Sequence, residues 1–103
     1  MNAKTENILI NRFLDSLWME KGLSEHTLVA YRNDLNGFQN WLEQNGDIKL
    51  ERVESNHVLS YLSFRLKKKY SPRSSARFLS SARQFYVYLI RNRMIETDPV
   101  ALI

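Results

Sequence analysis

Apolar side chains recur along most of this chain at alternating steps of three and four, the spacing that keeps one face of an α-helix buried. The clearest stripe is Leu28, Tyr31, Leu35, Phe38 and Leu42, which predicts a helix over residues 25–45. Ser24 stands where an N-cap belongs and Gly46 where that helix should stop. Upstream, Leu9, Phe13, Leu14, Leu17 and Trp18 predict a helix over residues 6–20, with Thr5 as N-cap and Gly22 as its stop. The stretch DIKLERVES, 47–55, breaks the pattern and is expected to be a loop whose Ser55 caps a third helix bearing Val58, Leu59, Leu62 and Leu66. Lys67, Lys68 and Lys69 close that helix, where cations suit the negative end of the helix dipole.

Ser71-Pro72 opens a fourth helix, with serine at N-cap and proline pre-set for the first turn. It should run to about residue 92 on a buried stripe of Leu79, Ala82, Tyr86 and Leu89, and Asp98-Pro99 forbids further helix. The closing VALI is apolar and uncapped, and reads as a cut rather than a natural end. No strand-like alternation persists. The expected fold is all-α, a compact bundle of four main helices forming a single domain over 1–103.

Composition narrows the class. The longest uninterrupted apolar run, FYVYLI, is too short to span a bilayer, so no membrane partner is expected. The opening MNAKTENILI lacks a secretory pattern, and an intracellular, cytoplasmic protein is the default expectation. With no cysteine there is neither a disulfide framework nor a thiolate site. His26 and His57 lie far apart without paired carboxylates, so surface positions suit them better than metal ligation. Nothing adjoins the five tyrosines that would activate a nucleophile. The chain is expected to bind rather than catalyse, without metal or cofactor.

Charge adds a direction. Residues 1–52 carry six basic and eight acidic side chains, whereas residues 53–103 carry nine and three. Between Arg65 and Arg93 there is no Asp or Glu at all. That asymmetry points to a polyanion, the alternative being a solvated helix face. With the buried stripe of the fourth helix set inward, Arg73, Arg77, Ser80, Ser81, Gln84, Tyr88 and Arg91 point outward. Arginine and glutamine are the side chains that pair bidentately with guanine and adenine in a major groove. The second helix turns His26, Ala30, Asn33 and Gly37 away from its own stripe, small or neutral residues that permit close approach to a nucleic-acid backbone.

Three strings then carry a family resemblance: FLDSLWMEKGLSEHTLVAYRNDL (13–35), SSARFLSSARQFYVYLIR (74–91) and the closing DP at 98–99. In order and spacing they resemble the N-terminal core-binding, SAM-like domain of the tyrosine recombinases, the phage-integrase family. The resemblance implies half of a C-shaped clamp on duplex DNA, with the second and fourth helices over the major groove. It also implies a separate C-terminal catalytic domain, which alone would carry the tyrosine nucleophile, and a tetramer with a related partner recombinase. No cofactor is implied. On this basis Arg77, Ser81 and Gln84 are the expected groove contacts. Arg73, Ser74, Lys67, Lys68 and Lys69 are expected on phosphate, and Thr27 and Asn33 on the second helix. Rival readings are an integrase of a phage or plasmid, a helix-turn-helix repressor, and a protein-binding module using Met19, Trp41 or Phe78 as exposed apolar contacts.

Overall fold

The computed structural model describes residues 7–103, and the expected cap Thr5 lies outside them. Helix α1 spans Ile8–Lys21 because Asn7 Oδ1 accepts from the Leu9 and Ile10 amides at 2.8 and 3.3 Å. It ends at Gly22, whose φ of 59° lets the amide turn back onto the Trp18 carbonyl at 3.1 Å. Ser24 caps α2, Glu25–Gln44, by accepting from the Thr27 amide at 3.2 Å. A single 3₁₀ turn, Leu50–Arg52, interrupts the following loop. Helix α4, Pro72–Arg91, starts as expected on Ser71, with proline in its first turn.

Helix α3, Ser55–Lys67, departs from expectation at its start. Glu54 holds the cap position, and its amide donates to His57 Nδ1 at 2.8 Å. Ser55 is already helical, and its hydroxyl donates to the Pro99 carbonyl at 2.8 Å. That bond ties the head of α3 to the end of the chain, where Pro99 and Val100 are buried while Leu102 is fully exposed.

All four helices supply one core. Phe13 and Leu17 of α1, Leu35, Phe38 and Leu42 of α2, Val58 and Tyr61 of α3, and Phe78, Phe85, Tyr86 and Leu89 of α4 are buried together. Its rings meet edge to face: Phe38 with Phe78 at 5.3 Å, Tyr61 with Phe78 at 4.9 Å, Phe13 with Phe85 at 5.4 Å. The Tyr86 hydroxyl, buried beneath the 3₁₀ turn, donates to the Leu50 carbonyl at 2.8 Å.

Two helices are rotated from their expected phase. In α3 the buried positions are Val58, Tyr61 and Arg65, whereas Leu59 and Leu66 are 53% and 76% exposed. The Tyr61 ring, packed between Phe38, Trp41 and Phe78, covers more apolar surface than either leucine and fixes the helix's roll. In α4 the expected Ala82, Tyr86 and Leu89 are fully buried, but Leu79 is only half-buried and Phe78 and Phe85 extend the inward face to its other side.

Truncation of Phe38 to alanine should therefore lower the unfolding free energy in urea by about 3–5 kcal/mol. Leu66→Ala should change it by less than about 0.5 kcal/mol. Burial also pushes the Tyr86 phenol well above its ordinary 10.0. The folded state then holds this proton where the unfolded chain releases it, so stability should fall as pH rises above that ordinary value. The alkaline slope, followed by circular dichroism, should be shallower in Tyr86→Phe.

Candidate nucleic-acid interface

The outward side of α4 is built by what its inward side buries. With Phe78, Ala82, Phe85 and Leu89 against the core, Arg73, Arg77 and Arg91 are exposed and Ser80, Gln84 and Tyr88 are half-buried at the edge. Ser81 is a correction. It is fully buried, and its hydroxyl donates to the Phe78 carbonyl at 2.7 Å, one turn back. A buried stripe that includes Leu79 and leaves out Phe78 turns this residue outward; the burial of Phe78 turns it in. A buried hydroxyl spent on its own helix contacts no groove.

Helices α2 and α4 meet along a polar edge. Tyr31, buried in its ring, brings its hydroxyl within 3.2 Å of Ser80 Oγ and accepts from Gln84 Nε2 at 3.1 Å. Gln84 Oε1 accepts from Lys21 Nζ of α1 at 3.3 Å. One helical turn away, Arg77 donates from Nε and Nη2 to the two carboxylate oxygens of Asp34, at 2.9 and 2.8 Å. Those hydrogen bonds hold the guanidinium further above its usual pKa. The Arg77 side chain is 47% exposed and that of Asp34 only 4%. The face that is free of acid in sequence thus acquires a carboxylate in space.

The remaining α2 candidates divide. Asn33 and His26 are both exposed on α2. Thr27 is half-buried, with its hydroxyl 3.0 Å from that of Ser24 in the cap of α2. The smallness of Gly37 accommodates α3, since a Cβ there would stand 3.3 Å from the Tyr61 hydroxyl.

The α3–α4 corner carries the other cations. Lys67 ends α3, Lys68 caps it, and Lys69 takes a left-handed φ of 64°. The Lys69 amide bonds the Leu66 carbonyl and the Tyr70 amide the Arg65 carbonyl, both at 3.0 Å, a Schellman closure. All three lysines are exposed, and Lys68 Nζ lies 5.9 Å from the centre of the Phe64 ring.

Behind them sits Arg65, a buried guanidinium paired with no carboxylate among the described residues. It donates to Ser74 Oγ at 2.6 Å, Ser75 Oγ at 3.0 Å and the Tyr61 hydroxyl at 3.4 Å, and lies 4.5 Å from the centre of the Tyr70 ring. Burial raises the Tyr61 phenol above its usual value, with Arg65 pulling the other way. Ser74 is therefore half-buried with its oxygen accepting from Arg65, which leaves its own proton as the group able to reach a phosphate. Sequence reasoning counted Arg65 only as charge. Its spacing of four from Tyr61, one turn along the same helix face, was the available signal.

Comparison with known proteins decides the family. The model for the phage integrase N-terminal SAM-like domain matches residues 10–93. The chain belongs to this family. Among curated relatives it is 49% identical over 94 residues to the tyrosine recombinase XerD of Pseudomonas aeruginosa, covering 91% of this chain and 31% of that protein. The XerD of Shewanella oneidensis is 46% identical over 95 residues, covering 92% and 31%. That of Vibrio cholerae is 38% identical over 95 residues, with the same two shares. The chain thus spans just under a third of the length of these relatives. No solved structure matches it. No helix among the described residues is long and apolar enough to cross a membrane.

The protein-binding alternative loses two of its three contacts to the core. Phe78 is fully buried, and Trp41 is half-buried against Phe38 and Tyr61. Met19 is 81% exposed, next to an exposed Trp18.

Replacing Lys69, whose φ is 64°, by glycine should raise stability by about 1 kcal/mol through relief of left-handed strain. Thermal melts of the variant check the sign.

Proposed function

We propose that this chain is the DNA-binding, core-binding part of a XerD-like site-specific tyrosine recombinase acting in chromosome dimer resolution in the cytoplasm. The observation that carries this reading is the joined outer face of α2 and α4. Arg73, Arg77 and Gln84 stand along its α4 side, and the Lys67–Lys69 corner precedes the head of α4. A face of this kind suits a duplex. Cations at its end neutralise phosphate, while a fork-shaped donor and an amide at its middle match base edges. The names of the relatives support the recombinase assignment, and their greater length leaves room for a catalytic domain outside this chain.

In this reading Arg73, Ser74, Lys67, Lys68 and Lys69 hold phosphates, and Arg77 and Gln84 face the groove. Thr27 and Asn33 line the α2 side. The chain performs no chemistry itself. Its tyrosines are committed elsewhere: Tyr61 and Tyr86 are core, Tyr31 braces the α2–α4 edge, Tyr70 stacks on Arg65 and Tyr88 packs against the Phe13 ring. In the full protein it works beside a XerC-like partner recombinase within a tetramer.

Fluorescence anisotropy on a chromosomal recombination half-site and a scrambled duplex, at two salt concentrations, tests this. The half-site should bind more tightly, with affinity falling steeply as salt rises. Arg73→Ala should weaken binding to both duplexes and reduce the salt slope by about 0.9. Absence of salt-sensitive binding to either duplex would remove the reading and leave the protein-interaction alternative.

A further inference from the structure

We propose that Asp34 is a positioning residue that turns Arg77 into a reader of guanine, so that this ion pair sets base specificity and contributes little to affinity. The inference rests on the DNA-binding reading above and goes beyond it.

The geometry is that of a braced fork. Asp34 occupies the Nε and Nη2 side of the guanidinium with both of its oxygens, at 2.9 and 2.8 Å. The opposite edge, formed by Nη1 and the second hydrogen of Nη2, has no partner among the described residues, and the side chain is half-exposed. A guanidinium fixed along one edge presents two parallel N–H groups along the other. That edge matches two coplanar acceptors such as the O6 and N7 of guanine. Because Asp34 is itself buried in the α2–α4 seam, the fork is oriented before any ligand arrives, and its rotamer freedom is already lost.

The sign of the charge excludes the simpler role. A phosphate contact needs positive charge and tolerates a mobile side chain, as exposed Arg73 and Lys67 to Lys69 supply. A carboxylate bonded to Arg77 cancels its charge and opposes phosphate approach. Such a pair is costly for electrostatic attraction and useful for geometry.

Selection from a randomised duplex pool, with the 103-residue chain and its Asp34→Asn and Arg77→Lys variants, tests the idea alongside anisotropy on a scrambled duplex. The unmodified chain should enrich guanine at one position by ~5- to 100-fold. Both variants should flatten that position alone. On scrambled duplex, Asp34→Asn should bind as tightly as the unmodified chain or more tightly, since a negative charge has gone. Circular dichroism checks the fold. If Asp34→Asn does not fold, Arg77→Lys carries the test, because its exposed lysine keeps the charge and loses only the fork. Guanine enrichment that survives in the folded variants overturns the proposal. So does a parallel fall of selected and scrambled binding in Asp34→Asn, the mark of a merely structural role. Duplex binding without any guanine preference overturns this inference alone, whereas no duplex binding at low salt overturns the DNA-binding reading with it.

Discussion

Helix α4 has to serve as the spine of the core and as the outward face of the site, and its roll about its own axis settles both. Phe78, Ala82, Phe85, Tyr86 and Leu89 are fully buried, so the helix cannot turn without opening cavities against α1, α2 and α3. Everything on its far side inherits that phase. Arg73, Arg77 and Arg91 are exposed because the aromatic positions between them are not. Ser81, only three residues beyond Phe78, is lost to the core by the same rotation.

Against this fixed helix, α2 contributes polar atoms where a purely structural seam would contribute methyl groups. Tyr31 and Asp34 put a hydroxyl and a carboxylate into the edge, and Ser80, Gln84 and Arg77 meet them. The buried Tyr31 hydroxyl and Asp34 carboxylate are both partnered, which keeps their burial from being costly. The partners are also the side chains that would face a duplex. One set of bonds therefore stabilises the α2–α4 contact and fixes the direction of donors that a ligand would meet, a form of preorganisation.

The α3–α4 corner solves a different problem. Three adjacent lysines repel one another, and a tight reversal lies between two helices. Arg65 anchors the reversal from beneath through Ser74, Ser75, Tyr61 and the Tyr70 ring. Hydroxyls and aromatic faces satisfy its donors without neutralising it, so the corner keeps its full positive charge while remaining ordered.

Much of this was legible in the residues. The caps at Ser24 and Ser71, the stop at Gly22 and the four-helix architecture follow from local signals that act within a turn or two of chain. The α2 stripe was legible because its five apolar residues follow one face at steps of three and four. Helices α3 and α4 were harder. Each carries apolar side chains on more than one face, Leu59 and Leu66 beside Tyr61, Leu79 beside Phe78. Periodicity alone cannot choose between them, because which face is buried depends on the ring that the neighbouring helix offers. The family strings and the charge asymmetry were likewise properties of the sequence. The pairing of Asp34 with Arg77, separated by 43 residues, the burial of Arg65 and the closeness of Gly37 to Tyr61 were not. Sequence by itself determined the order of the four helices, the caps at Ser24 and Ser71 and where charge falls, since those depend on neighbours along the chain. Tertiary structure alone decided which charges are braced, buried or free, since that depends on the helix packed across the seam.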